Sequence, residues 1–180
     1  MAIKKAEYKD YEVEFALRDI DDYEKSLHAL MDVVGATVDS LESTAGMGAG
    51  AMCYMAGKRL GKRIGAMIGR KSGLESAIDA LSGYIEGGWK IELWKPVKEN
   101  DFVTEEGNQI RAKLVFRDCI VRQTLERQGI PQKRTMCYLT NGYVCGAIEV
   151  MLGMRNKIDL HAGNNACLKE LTLTREEGGV

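Results

Sequence analysis

Proline is nearly missing from this chain: there are two in 180 residues. A chain so poor in proline is not a loop-rich or polyproline protein. Charge of either sign is not in excess, with 25 Lys and Arg against 26 Asp and Glu and a net charge of −1. That balance excludes the bulk basic field of a nucleic-acid binder and an acidic tail. Long hydrophobic runs are missing as well. The longest uncharged run, Ser43 to Gly57, is rich in glycine and alanine, too short and too weakly apolar for a membrane span. Residues Met1 to Asp10 mix Lys, Glu and Asp with no apolar block, so no secretory signal is read and the expected address is the cytoplasm. Five cysteines, an odd number with no CxxC pair, fit that address as thiols, metal ligands or small core residues. Histidine is scarce: only His28 and His161 occur. No Walker loop or dinucleotide fingerprint is present, and Gly46-Met47-Gly48-Ala49-Gly50 follows no clear strand.

What the chain has in quantity is glycine, 20 residues, about one and a half times ordinary usage, and methionine, 9 residues. Glycine without proline points to backbones in close contact. Length and composition suit one domain with a full hydrophobic core. Residues 1–19 read as a polar arm with one possible strand, Tyr11 to Leu17; 20–175 read as a single domain; 176–180 are a tail. Ile20, Tyr23, Leu27, Leu30, Met31, Val34 and Val38 repeat at helical spacing, with Asp19, Asp21 and Asp22 at the start where the helix dipole favours negative charge. Ser43 or Thr44 is the expected cap of a second helix running to about Arg70. Along it Gly57, Gly61, Gly65 and Gly69 recur every four residues, continuing the row of Cys53. Each glycine costs a helix roughly 1 kcal/mol against alanine. The ridge therefore implies close approach of another helix or of a ligand, with Met52 and Met55 on adjoining faces.

Ser72 and Glu75 form a capping-box pattern before a third helix, Leu74 to Ile85, ended by Gly87-Gly88. Alternation predicts strands at 89–93 and 110–116, with another short one near Phe102. A short helix is expected at about 118–128 and a long one from Gln132 to Leu152, its apolar face marked by Met136, Leu139, Tyr143, Ala147 and Met151. Two strands near 154–161 and 167–174 flank a Gly163-Asn164-Asn165 turn. Helices first and strands later make an α+β fold with an antiparallel sheet of about four strands. Cys137, Asp159, His161 and Cys167 offer the sulfur, carboxylate and imidazole donors that suit Zn²⁺; the bland alternative is buried thiols.

Several short motifs resemble one family. Gly57-Lys58-Arg59-Leu60-Gly61, after a small-residue run, resembles the glycine helix of the 4-vinyl-reductase domain, or hydrocarbon-binding, family. Cys137-Tyr138, Gly142-Tyr143 and Gly146 resemble its cysteine–aromatic, Gly-Tyr, Gly helix, and Gly163 followed by Cys167 resembles its closing turn and strand. The element order is also similar to that of TRAPP vesicle-tethering subunits. The resemblance covers roughly residues 20–175. It implies a domain that binds a small apolar, hydrocarbon- or lipid-like molecule in a closed pocket, usually as a homodimer, as a sensor or carrier. The pocket residues expected on this reading are Met52, Cys53, Met55, Gly57, Gly61, Gly65, Trp89 and Tyr143. In sensor relatives a structural zinc is held by the helix cysteine, a glutamate, a second cysteine and the cysteine after the turn. Cys137 and Cys167 match the first and last. Asp159 stands where the second cysteine is expected, and the strand, with Asn156, supplies no glutamate. Either Asp159 or His161 substitutes, or the metal has been lost. The stretch Gly69 to Gly73 lacks the acylated cysteine of TRAPP subunits. Two other readings stand beside ligand binding: a TRAPP-like assembly protein without catalysis, and an accessory protein or enzyme of tetrapyrrole vinyl reduction, although no acid–base pair or cofactor motif supports the last.

Overall fold

The computed structural model describes residues 19–85, 89–131, 135–162 and 166–175. The expected strand Tyr11 to Leu17, the Gly87-Gly88 stop, the 163–165 turn and the 176–180 tail lie outside the described residues. The order of elements is α1 (Ile20–Ala45), α2 (Gly48–Ile68), α3 (Leu74–Tyr84), β1 (Lys90–Trp94), β2 (Val103–Glu106), β3 (Gln109–Arg117), α4 (Ile120–Arg127), α5 (Thr135–Leu152), β4 (Arg155–Ala162) and β5 (Cys167–Thr174).

The fold is α+β, with an antiparallel sheet of five strands. Four form the path β1-β3-β5-β4. The fifth, β2, shares an edge with β1: β2 pairs with Gln109–Ala112 of β3 and β1 with Lys113–Arg117. The short strand expected near Phe102 is thus part of the sheet. Ile110, Ala112, Leu114 and Phe116 of β3 turn inward, as their alternation predicts, and meet Leu171 and Leu173 of β5. Helices α3 and α5 cover this face through Ile78, Leu81, Val144, Ile148 and Met151. A second cluster joins Val34 and Val38 of α1 to Val121 and Leu125 of α4 and Met136 of α5. Trp89, just before β1, packs against both clusters.

Two local expectations need correction. Ser43 and Thr44 do not cap α2; both lie inside α1 and hydrogen-bond back to the Ser40 carbonyl. A serine or threonine in a last helical turn satisfies a carbonyl of its own helix as readily as it opens the next. The chain instead turns at Gly46, whose φ of 54° is left-handed, and α2 starts at Gly48. Ser72 and Glu75 make no capping box either: Gly73 occupies the N-cap of α3 with no side-chain cap. At α1 the acidic start is real, since Asp19 caps the helix by accepting from the Asp22 N–H at 2.9 Å.

Helix α5 is buried on most of its circumference, because the sheet lies on one side and α2 on the other. The glycine ridge explains how α2 comes so near. A β-carbon on Gly57 would overlap the Leu139 carbonyl and stand 3.0 Å from the Tyr143 nitrogen. On Gly61 it would overlap the Tyr143 carbonyl and stand 3.0 Å from the Ala147 nitrogen. The partner helix is built likewise: side chains on Gly142 and Gly146 would strike the Tyr54 and Lys58 carbonyls. Two rows of glycine thus put backbone on backbone. At the rim Glu149 of α5 receives Lys58 and Lys62 of α2, each at 2.6 Å. Burial alone would raise the Glu149 carboxyl, but these two ammonium groups hold it below the usual carboxylate range.

Candidate functional site

Two concave features flank Trp89. The larger is an open groove of about 760 Å³ between α3 and β1, with Trp89 and Phe102 as aromatic walls and Glu75, Asp79 and Asp118 among its polar rim. Behind it the Trp89 ring meets Phe116 edge-on at 5.3 Å and Tyr143 at 5.7 Å. Burial pushes the Tyr143 hydroxyl up to about 12, with the nearby Tyr84 adding to the shift. Trp89 and Tyr143, two of the expected pocket residues, therefore touch.

The other expected pocket residues are distributed differently. Gly57, Gly61 and Gly65 are buried against the α5 backbone. Cys53 is buried on the same row. Met52 and Met55 lie on the outer face of α2, 54% and 51% exposed.

The second feature lies on the far side of Phe116. It is a narrow cleft of about 10 Å³, room for about one water molecule. Cys119 and Leu125 wall it from the α4 side, Cys137 and Thr140 from α5, and Cys167 and Lys169 from β5. Lys169 is the residue that sequence reading missed. It is only 2% exposed, with its Nζ hydrogen-bonded to Asn141 Oδ1 at 2.6 Å and to Thr140 Oγ1 at 3.0 Å, and 3.9 Å from the centre of the Phe116 ring. Thr140 Oγ1 in turn donates to the Cys137 carbonyl at 2.9 Å. The signal was in the pleat: Cys167, Lys169, Leu171 and Leu173 have one parity in β5, and strand alternation sends a residue of that parity to the core.

Burial dominates the electrostatics here. It lowers the Lys169 amine to about 8, partly offset by attraction to Cys119, Cys137, Cys167 and Cys145. Burial likewise raises the Cys167 thiol, and takes Cys145 up to about 11 although Tyr54, Lys58 and Lys169 favour its thiolate. The linkage follows from the direction of the lysine shift. Below pH 8 the amine is charged in both states, and the fold carries the full cost of burying it. Between about 8 and the unfolded value near 10.4 the unfolded chain binds more protons, so that cost is relieved as pH rises. Relative to Lys169→Met, the wild-type protein should therefore gain up to about 3 kcal/mol between pH 7 and 10.5. Urea unfolding of both proteins across that range checks it; parallel curves would mean that Lys169 is not buried as described.

Of the residues expected to bind zinc, Cys137 and Cys167 both line this cleft, from α5 and β5. Asp159 and His161 are not. They pair across the strands with Glu170 and Leu168, on the sheet face opposite Cys167. There Asp159 accepts from Lys157 at 3.1 Å and His161 stands 4.0 Å from Glu170. Among the described residues no group of three or more His, Cys, Asp or Glu is placed to hold a metal. The four donors as placed do not fit one tetrahedral ion, and the charges acting on Cys167 are those of Lys169, Arg122 and Glu126. Asn156, at the departure from the glutamate pattern, donates to the Cys145 carbonyl at 3.0 Å, while its own Oδ1 is buried without a partner among the described residues.

No family model matches the chain. No curated protein matches it either. Solved structures do. One is the crystal structure of the phenol-responsive sensory domain of the transcription activator PoxR with phenol, at a TM-score of 0.59 and 19% identity over 82% of this chain and 76% of that one. At that identity the likeness is one of fold. No helix of the described residues is long and apolar enough to cross a membrane.

Proposed function

We propose that the chain is a small-molecule sensory or binding module whose ligand is a compact apolar or aromatic compound. The observation that carries this reading is the shared fold with a phenol-responsive sensory domain. Supporting it, a groove of about 760 Å³ opens on Trp89, whose ring is continuous with Phe116 and Tyr143. Aromatic walls with a few polar groups at the rim are the usual dress of a small-ligand site. On this reading the 4-vinyl-reductase-like motifs belong to the scaffold: the glycine helices lock α2 to α5, and the aromatic cluster beside them receives the ligand. Isothermal titration with phenol, cresols and non-aromatic alcohols of similar size tests it. One compound per chain should bind, and Trp89→Ala should weaken that binding about tenfold, the loss of roughly one good aromatic contact. Equal affinity in wild type and variant would remove the groove from the reading.

The module is proposed to work as a homodimer. Ile20, Tyr23, Leu27 and Leu30 form an exposed apolar stripe on the first half of α1, and Met52, Met55, Leu60 and Met67 are exposed on α2. Twofold pairing of a second copy covers such a stripe with itself.

One observation favours a different function. The α2–α5 seam is closed and the cleft at Lys169 has room for only about one water, as suits an interaction protein with a filled core. Titration of the whole compound panel without a heat of binding would select that reading.

A further inference from the structure

A buried lysine without a carboxylate partner is costly, because desolvating an ammonium in an apolar site is repaid only by a well-placed counter-charge. Lys169 has none among its hydrogen-bond partners: Asn141 Oδ1 and Thr140 Oγ1 are both neutral acceptors, and the third contact is the face of Phe116. Two neutral oxygen acceptors and the Phe116 ring face surround the nitrogen, and Lys169 also lines the small cleft beside them. That cleft is walled by the thiols of Cys119, Cys137 and Cys167. A buried lysine of this kind is the sort that attacks carbonyl carbons.

We propose that Lys169 is a covalent capture site for very small aldehydes that enter the cleft it lines. This deepens the reading of the chain as a small-molecule module and rests on it. The amine nitrogen attacks the carbonyl carbon and a C–N bond forms. The carbonyl oxygen takes up two protons, both from the amine if it enters neutral, and leaves as water, so the product is an imine. A thiol of the same wall then adds to the imine carbon: an S–C bond forms and the thiol proton passes to nitrogen. No oxidant or reductant is needed, and both steps reverse in water. The size of the space selects the ligand, since room for about one water admits formaldehyde and excludes an aldehyde carrying a ring. The lowered basicity of Lys169 supports the step: with the amine at about 8 rather than near 10.4, its neutral share at pH 7 is roughly two hundredfold above that of an exposed lysine.

The test is reductive trapping on the folded protein. Formaldehyde at equimolar ratio and cyanoborohydride are added at pH 7, and each lysine is mapped by peptide mass spectrometry. Lys169 should methylate at least about tenfold faster than exposed lysines such as Lys157, and Thr140→Val, which removes one acceptor, should change that rate while leaving the exposed sites unaltered. Methylation of exposed lysines with Lys169 untouched, in protein that still binds an aromatic compound by titration, would overturn the capture site alone. Rapid reaction at Lys169 without aromatic binding would uphold the capture site and overturn the groove.

Discussion

Gly61→Ala should destabilise the protein by about 3 kcal/mol, the upper part of the range for overpacking, although the substitution favours the helix itself by roughly 1 kcal/mol. The reason is what the new methyl meets. It would overlap the Tyr143 carbonyl and lie 2.8 Å from the carbonyl carbon, and a backbone cannot rotate out of the way as a side chain does. The helices must separate, and separation exposes the packing of α5 to α2 on both sides of the site. Gly83 in α3 is the control, because nothing lies within 4 Å of a β-carbon there. Gly83→Ala should stabilise by about 0.5–1 kcal/mol. Urea unfolding of the two variants gives opposite signs if the seam is as described; a Gly61→Ala protein as stable as wild type would mean that α2 and α5 are not in backbone contact.

The second large effect concerns assembly. Leu27→Glu with Leu30→Glu should convert a dimer of two 19.9 kDa chains to a monomer at micromolar concentration. Both side chains are exposed in the single chain, 43% and 59%, so the substitutions leave the core alone and the circular dichroism spectrum should persist. Four charges brought together across a twofold interface repel and must also be desolvated. Sedimentation equilibrium decides the matter. A wild-type mass equal to one chain removes the proposed interface outright.

The parts of the fold that were legible in the sequence are those where one periodicity dominates. The strand at 110–116, the last two strands and the acidic start of α1 are of this kind. So was the close approach at the glycine ridge, where Gly57, Gly61 and Gly65 meet the α5 backbone; Gly69, the fourth of the expected row, instead ends α2 with φ 83° and nothing near its β-carbon position. Sequence could not say which element approached, since Gly142 and Gly146 advertise a seam only when their partner is known. Capping failed where several candidates stood within a few residues: at 43–48 and 72–75 serine, threonine and glycine compete, and the N-caps fall at Met47 and Gly73. The zinc set was assembled from donor types and from the family's ligand positions. Strand parity places His161 and Asp159 on the face away from Cys167, and that much could have been read from the pleat. Lys169 was overlooked for the opposite reason. A lysine in a strand is taken for an outward residue, and only its shared parity with Leu171 and Leu173 marks it as inward.

Native mass spectrometry of the protein, alone and with the phenol and cresol panel, tests the central claim most directly. The account predicts a dimer that takes up one small aromatic molecule per chain, with uptake reduced in Trp89→Ala. A chain that stays empty across the panel and carries no small molecule from its own purification would contradict the reading as a small-molecule module.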